Sequence, residues 1–419
     1  MKVLLMSIGT RGDMEPFVAV AEILKNKGHH VICAFPEQFR ELAEDSNLEF
    51  ASLGKKFIEM LDGDIGKAAL GGGGSGFKKF LANVKLAKNS TETNKELVIQ
   101  QHALIESENP DRIVHNGKAL CPIIWGVGNK GKTTLISPLP YMHYVKHHTH
   151  VAFNGNYGSF LNKLTFSLAN FGTVTTLMIS IKWLSLKGHI TRKQIKDAYL
   201  SNKAIYTISP SLFPRPEGWK ENLKVLGYQQ PRRTIKREPE KGLEEFLEKH
   251  KNNRILFITF GSMLNPDQAE KTRIILEILE RNKIPAIINT AAGGLIRPER
   301  YDSELIHFVS RIPYDRIFPK IYGVIHHGGA GTTHLALKHG CTALIIPHII
   351  DQFVWDKIIY AMGAGPKGVK IGKITTKNLE PKILELLNNR SFKEKAKQIA
   401  GRMEKEDFRE DVYRSIISD

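Results

Sequence analysis

The stretch VIHHGGAGTTHLALKHGCTALIIPHIIDQFVW, residues 324–355, decides the fold of this 419-residue chain. An apolar strand ends at Ile325, and a turn with almost no side-chain bulk leads into a helix that opens at Thr332. A second apolar strand follows, and the pair Asp351–Gln352 opens another helix. Strand, helix and strand in this order predict a parallel sheet covered by helices.

The glycine turn at residues 328–331 is a predicted anion site. The first N–H groups of a helix have no acceptor within the helix, and the positive end of the helix dipole lies beside them. A diphosphate fits such a turn. Asp351 and Gln352 follow the next strand and are placed to hold sugar hydroxyls by hydrogen bonds. The stretch therefore predicts a nucleotide-sugar site.

The rest of the chain alternates strands and helices in two runs. In the first run, residues 3–7 and 31–35 are apolar strands, and residues 15–26 carry apolar side chains at helical spacing between them. A second run begins at Arg254. Both runs predict doubly wound α/β sheets. Residues 71–76, GGGGSG, predict a mobile loop, and a long helix is predicted at about 77–107.

Residues 141–190 interrupt the alternation with aromatic, histidine and apolar residues. Two interpretations stay open: an apolar acceptor pocket, or ordinary core helices. His143, His147, His148 and His150 have no Asp, Glu or Cys at ligand spacing, so a metal site is not expected there. The phosphate-loop pattern at 126–133 is discounted, because a helix precedes it and a strand follows it.

Composition indicates an ordinary globular protein of two domains, with 25% charged and 42% hydrophobic residues. Three scattered cysteines argue against a disulfide framework and predict a reducing, cytoplasmic location. The apolar N-terminus is predicted to be a buried strand, and no uninterrupted apolar run reaches the length of a membrane span.

The formal net charge is +17. This charge fits a basic solvated surface or one that attracts anions. The sequence lacks the zinc and RNA-binding patterns, so nucleic acid is not an expected partner. Peripheral contact with an anionic membrane stays open, as does the oligomeric state.

The motif at 324–355 resembles the donor-binding signature of the family 1 glycosyltransferases, in the branch of sterol glucosyltransferases and bacterial antibiotic glycosyltransferases. Other pieces resemble that branch in the same order, at residues 8–31, 208–228, 260–263 and 311–319. The likeness covers most of the chain. It implies the GT-B fold: α/β, with two facing Rossmann-like domains and an interdomain cleft.

The resemblance also implies four segments. They are an acceptor-binding domain at 1–215, a linker at 216–239, a nucleotide-sugar-binding domain at 240–395, and a C-terminal helix at 396–419 that packs back on the first domain. Proline-rich, charged sequence supports the linker. A single charged, amphipathic helix is expected from residue 391 to about 417.

The donor residues are carried over from the matching positions. His326 is expected at the diphosphate with the glycine turn, Ser262 at a phosphate oxygen, and the backbone of Ile312–Pro313 at the base. Asp351 and Gln352 are expected at the sugar hydroxyls, while His327 and Trp355 are expected to support or pack. The full expected donor set is Ser262, Ile312, Pro313, His326, Gly329, Gly331, Thr332, Asp351 and Gln352.

Asp13, in GTRGDMEP at 9–16, is the candidate catalytic base. It follows the first strand, where α/β sheets place ligand chemistry, yet it also fits a cap for the helix near Glu15–Pro16. The resemblance favours catalysis, since this branch carries aspartate there and related plant enzymes carry histidine. Aspartate is a weak base at neutral pH, so orienting the acceptor hydroxyl is an alternative role. Arg11 is a secondary candidate, either to pair with Asp13 or to help neutralise a phosphate.

The function implied is an inverting hexosyltransferase. It would move a hexose, glucose being the expected one, from a UDP- or dTDP-sugar to a hydroxyl of an apolar small molecule such as a sterol, terpenoid, flavonoid or polyketide. No metal or other cofactor is expected, because the helix end, His326 and Thr332 can meet the leaving charge. The alternatives are a nucleotide-sugar epimerase of the same fold and a non-catalytic nucleotide-sugar-binding accessory protein.

Overall fold

The computed structural model describes residues 1–62, 76–232, 241–261, 263, 265, 267–310 and 312–418. These residues form two compact units. The first holds the described residues within 1–63, 84–233 and 406–419, and the second those within 64–83 and 234–405. The glycine-rich segment at 71–75, Ser262 and the end of the expected linker lie outside the described residues.

The first unit is built on a seven-stranded parallel sheet with the order β3-β2-β1-β4-β5-β6-β7. Its strands are β1 (Lys2–Met6), β2 (His30–Phe35), β3 (Glu49–Ser52), β4 (Arg112–His115), β5 (Thr133–Ser137), β6 (Lys203–Tyr206) and β7 (Leu223–Val225). Its helices are α1 (Arg11–Asn26), α2 (Arg40–Glu44), α3 (Lys56–Asp62), α4 (Gly76–Glu108), α5 (Cys121–Trp125), α6 (Ser159–Trp183) and α7 (Arg192–Ser201).

The second unit is built on a five-stranded parallel sheet with the order β10-β9-β8-β11-β12. Its strands are β8 (Leu256–Thr259), β9 (Ala286–Asn289), β10 (Ile306–Val309), β11 (Gly323–His326) and β12 (Thr342–Ile345). The remaining helices are α8 (Lys241–Lys249), α9 (Gln268–Arg281), α10 (Tyr314–Ile317), α11 (Ala330–Lys338), α12 (Gln352–Ala361), α13 (Thr376–Asn388), α14 (Arg390–Met403) and α15 (Arg409–Ile417).

Both sheets are buried on both faces, which explains why their central strands read as continuous apolar runs. In the first unit Val3 and Leu5 pack with α1, while Leu4 and Met6 pack against the other side of the sheet. In the second unit Leu256 and Ile258 lie in the core with residues of α9 and α13. The doubly wound α/β architecture predicted from the alternation of elements is the one observed.

Two stretches differ from their expected form. Residues 223–225, inside the expected linker, form β7 and pair with β6. The expected single helix at 391–417 is two helices, α14 in the second unit and α15 in the first. Between them the carboxylate of Glu406 accepts hydrogen bonds from the hydroxyls of Ser209 and Ser211 in the first unit. The connection between the two helices is thus held to the loop after β6 by the carboxylate of Glu406.

Candidate functional site

The expected donor residues gather at one edge of the second sheet. Because all five strands are parallel and end in register, their carboxyl ends lie side by side. His326 is the last residue of β11, and Ile312–Pro313 follow β10. Asp351–Gln352 follow β12. The tertiary structure therefore brings these separated motifs to one place.

The turn between β11 and α11 is closely packed at two glycines, and one of them has a positive φ. Gly328 has φ of +94°, and a Cβ there would lie 2.7 Å from Cγ2 of Ile345. Gly329 is the N-cap of α11, and a Cβ there would lie 2.5 Å from Nε2 of His327. No side chain among the described residues caps α11. Its first N–H groups, beginning with Ala330, Gly331 and Thr332, therefore face the turn without intrahelical acceptors.

His326 and His327 lie on this turn in different ways. His326 is fully buried, and its Nδ1 accepts the N–H of Gly328 at 3.1 Å, which braces the turn. The ring of His327 lies between Gly261, after β8, and Gly329, at the helix end. His326 Nε2 and His327 Nδ1 are buried without a hydrogen-bond partner among the described residues.

These imidazoles are neutral at physiological pH. Burial lowers the pKa of His326 to about 3 and that of nearby His348 to about 4. The pKa of His327 falls well below its usual range, through burial first and then through the neighbouring histidines. A neutral imidazole presents one N–H donor and one acceptor, so each ring can donate a hydrogen bond to an anion without carrying charge.

Asp351 and Gln352 open α12 beside the turn. Asp351 is half-buried at the N-cap position. Gln352 is buried, and its Oε1 accepts the N–H groups of His348 at 2.7 Å and Ile349 at 3.1 Å. The side-chain oxygen thus shapes the loop after β12. Its amide nitrogen is the atom that can serve a sugar hydroxyl.

A polar cluster holds the loop after β10. The hydroxyl of Tyr314 lies 3.0 Å from Oγ1 of Thr259, and Nδ2 of Asn289 donates to it at 3.2 Å. Thr259 and Asn289 end β8 and β9, and Tyr314 is the first residue of α10, so these contacts tie the helix after Pro313 to the two strands. Ile312 and Pro313 are half-buried at the start of that helix. Ser262 lies outside the described residues.

In the first unit, Asp13 lies in the first turn of α1, because this helix begins at Arg11, earlier than expected from the sequence. Its Oδ2 accepts the N–H of Thr10, the N-cap residue, at 2.8 Å. The capping interpretation of Asp13 therefore has a structural basis. Gly9 has φ of +139°, and a Cβ there would overlap the carboxylate, so glycine lets Asp13 fold back. Arg11 pairs with Glu15 instead.

Lys118 is the partner of Asp13 that sequence analysis missed. Its Nζ lies 3.0 Å from Oδ1 and 3.1 Å from Oδ2 of Asp13. Lys118 follows β4, which pairs with β1, so the loops after these strands are neighbours. Buried Asn116 ties them: its Nδ2 donates to Oγ of Ser7 and to the carbonyl of Ile8. The signal in the sequence was a cation three residues after the end of β4, a strand next to β1 in the sheet.

The region at 141–190 is partly core and partly surface. His143, Tyr206 and Trp219 pack together, with Nδ1 of His143 2.6 Å from the hydroxyl of Tyr206. Burial lowers the pKa of His143 and of His150 to about 4. The phosphate-loop-like stretch joins α5 to β5, the helix-to-strand order expected from the sequence. Within the described ranges, no three His, Cys, Asp or Glu side chains are grouped to hold a metal ion.

Two family models match the chain. Residues 3–111 match the glycosyltransferase family 28 N-terminal domain, and residues 303–418 match the C-terminal domain of erythromycin biosynthesis protein CIII-like proteins.

Among curated proteins, a sterol 3-beta-glucosyltransferase of Arabidopsis thaliana is 28% identical over 97% of this chain and 64% of its own length. One from Vanderwaltozyma polyspora is 26% identical over 96% of this chain and 33% of its own. The chain thus spans about two thirds of the plant relative and one third of the yeast relative.

Solved structures show the same fold. The glycotransferase of kitacinnamycin superposes with a TM-score of 0.70 at 14% identity, covering 99% of each chain. The spinosyn rhamnosyltransferase complexed with thymidine diphosphate has a TM-score of 0.65 at 16% identity, covering 99% of this chain and 100% of the other. These likenesses establish a two-domain α/β fold of the GT-B type.

Proposed function

Because this chain belongs to the family 1 glycosyltransferases of the GT-B fold, we propose that it moves a hexose from a nucleoside diphosphate sugar to a hydroxyl of an apolar small molecule. UDP-glucose is the proposed donor, since the curated relatives of this chain are named as glucosyltransferases. A sterol or similarly apolar alcohol is the proposed acceptor. The observation that carries the proposal is the glycine turn before α11, with a helix N-terminus and two neutral imidazoles at a strand end.

In this proposal the diphosphate binds the N-terminus of α11. The N–H groups of Gly331 and Thr332 and the hydroxyl of Thr332 donate to its oxygens. His327 is a better candidate than His326 for a direct contact, because Nε2 of His327 faces Gly329 at the helix end while His326 braces the turn. As the bond to the sugar breaks, these fixed donors stabilise the charge growing on the leaving group. No metal is needed for that role.

Asp351 and the amide nitrogen of Gln352 are proposed to orient the sugar, and the backbone of Ile312–Pro313 to contact the base. Asp13 is proposed to receive the acceptor hydroxyl through Oδ1, whose contact among the described residues is Lys118. Oδ2 is already held by Thr10 and Lys118. The pair of contacts fixes the carboxylate, so Asp13 orients the hydroxyl and accepts its proton as attack proceeds. Direct displacement at the anomeric carbon inverts its configuration.

The test is a transfer assay on the purified chain with radiolabelled UDP-glucose and, separately, dTDP-glucose. Sterol, triterpenoid, flavonoid and polyketide acceptors would be supplied in turn, with and without EDTA. We expect a glucoside that forms only with UDP-glucose and forms equally well in the presence of EDTA. The coupling constant of its anomeric proton should show inverted configuration. Donor binding without any product would favour an accessory protein, and epimerised donor would favour an epimerase. Loss of product with EDTA would refute the metal-free mechanism.

A further inference from the structure

Helix α6, Ser159–Trp183, carries apolar side chains on two opposite faces. The inner face places Val174, Leu177 and Ile181 in a core cluster with residues of α5 and α7. The outer face is exposed and consists of Phe160, Leu164, Leu168, Phe171 and Ile179. Spacings of three, four and eight residues put these five on one side of a helix. We call this set the outer face of α6.

The outer face is the main concentration of exposed large apolar side chains among the described residues. Phe160 is 81% exposed and Phe171 is 65% exposed. Leu161 of the same helix, and Tyr144 and Tyr157 before it, are exposed as well. Single exposed apolar residues are ordinary, but a contiguous group this large indicates an interaction surface.

Several basic side chains lie on or beside α6. Residues 112–196 contain eleven Lys and Arg and no Asp or Glu. The guanidinium of Arg192 lies 5.0 Å from the ring centre of Phe171, and Nζ of Lys163 lies 5.9 Å from that of Tyr144. Lys182, at the end of α6, is exposed too. An apolar helix face with basic side chains along it matches the chemistry of a membrane surface rich in anionic lipid.

We propose that the outer face of α6 is a membrane-docking surface, with α6 lying in the plane of an anionic lipid layer. Phe160, Leu164 and Phe171 would enter the boundary between head groups and acyl chains. Lys163, Lys182 and Arg192 would contact lipid phosphates. The inference uses none of the residues assigned above to the donor, and it does not use Asp13, so vesicle binding tests it separately from the proposed activity.

Two other arrangements fit the structure less well. By length and composition α6 is the one described helix that could cross a membrane, yet a third of its most apolar window is buried. A spanning helix would have to leave the core that holds Val174 and Leu177. In a symmetric interface, a second copy of the chain would place Lys163, Lys182 and Arg192 opposite the same basic residues, and like charges at an interface are unfavourable.

The experiment is co-flotation of the full chain with vesicles of phosphatidylcholine, with and without phosphatidylglycerol. We expect binding that needs phosphatidylglycerol and weakens with added salt. The triple variant Phe160→Ser/Leu164→Ser/Phe171→Ser should lower the partition coefficient about tenfold or more. The matched apolar control is Ile99→Ser/Tyr360→Ser, which removes exposed side chains elsewhere and should bind as the wild type does.

A second pair of variants tests charge without touching the apolar residues, so it serves even if the triple variant misfolds. Lys163→Glu/Lys182→Glu should lower binding about tenfold or more, since each basic residue near the surface contributes. Lys377→Glu/Lys395→Glu carries the same change of net charge on the second unit and should keep most binding. Equal losses in both charge variants would refute a localised surface.

Three further results would overturn the proposal. The first is that the wild type does not bind anionic vesicles, and the second is that a triple variant with an unchanged melting temperature binds them as the wild type does. The third is that light scattering shows a wild-type dimer that does not bind vesicles and that the triple substitution converts to a monomer. The last result would assign the outer face to a second copy of the chain.

Discussion

The strand-end site of the first unit and that of the second differ in how fully their polar groups are paired. In the first, the carboxylate of Asp13 has an N–H and an ammonium as partners, and Asn116 uses its amide at both ends. In the second, His326 and His327 each leave a buried nitrogen without a partner among the described residues. Unpaired buried polar groups cost free energy, so this arrangement is expected where a ligand supplies the partner.

The difference indicates that the two sites have different roles in ligand binding. A paired carboxylate on the first turn of α1 is held in one orientation before any ligand arrives. Donors at the α11 turn are fixed by backbone and glycine packing and gain partners on binding. The following predictions test this contrast, from the largest expected effect to the smallest.

Acid should weaken the histidine-rich turn together with the rest of the chain. The folded-state pKa values of His326, His334 and His348 lie at about 3 to 4, below the usual 6.5. Their contribution to stability is full above about pH 6.5 and is lost as the pH falls through about 4, because the unfolded chain takes up protons first. Melting temperatures measured from pH 8 down to pH 4 should therefore fall by many degrees. A melting temperature that does not change with pH would contradict the inference that these imidazoles are buried in the neutral form.

Asp13→Asn should reduce the rate of sugar transfer about a hundredfold or more, which is the usual effect of losing a general base. Asparagine keeps the size and loses the charge. Affinity for UDP, measured calorimetrically, should stay within about twofold, since no diphosphate contact is removed. A large loss of UDP affinity would assign Asp13 a structural role only.

Gly328→Ala should destabilise the chain by about 1–3 kcal/mol, because φ is positive there and the new Cβ meets Ile345. Denaturant unfolding measures the change. Gly12→Ala is the matched control: it lies in α1, and a Cβ there meets nothing within 4 Å. Equal stability of the two variants would show that the turn does not need glycine.

His327→Gln should weaken UDP binding about tenfold, the value of one hydrogen bond to a charged group. His326→Gln should act mainly on stability, since this imidazole braces the turn. Calorimetry with UDP and unfolding of each variant separate the two. The reverse pattern would return the diphosphate contact to His326, as expected from the sequence.

Lys118→Met should lower kcat about tenfold or less while leaving the KM for the donor unchanged, because Lys118 acts through the orientation of Asp13. Lys118→Arg should restore most of the rate by keeping a cation near the carboxylate. A raised donor KM in both variants would place Lys118 at the donor instead.

The sequence by itself determined the α/β class, the two runs of strands and helices, and the glycine turn before α11. These rest on local causes: apolar periodicity, helix N-terminal chemistry and glycine's access to positive φ. The long helix predicted at 77–107 is confirmed by α4, Gly76–Glu108. The roles of Asp13, Asp351 and Gln352 stay predictions.

Only the tertiary structure decided the contacts between distant loops. Lys118 meets Asp13 because β4 pairs with β1, and the oxygen of Gln352 is used by His348 and Ile349. The division of the last helix and the pairing of β7 also depend on partners far along the chain. Periodicity reports which face of an element is apolar. Which residues meet across that face depends on strand order and side-chain direction, which are set when the whole chain packs.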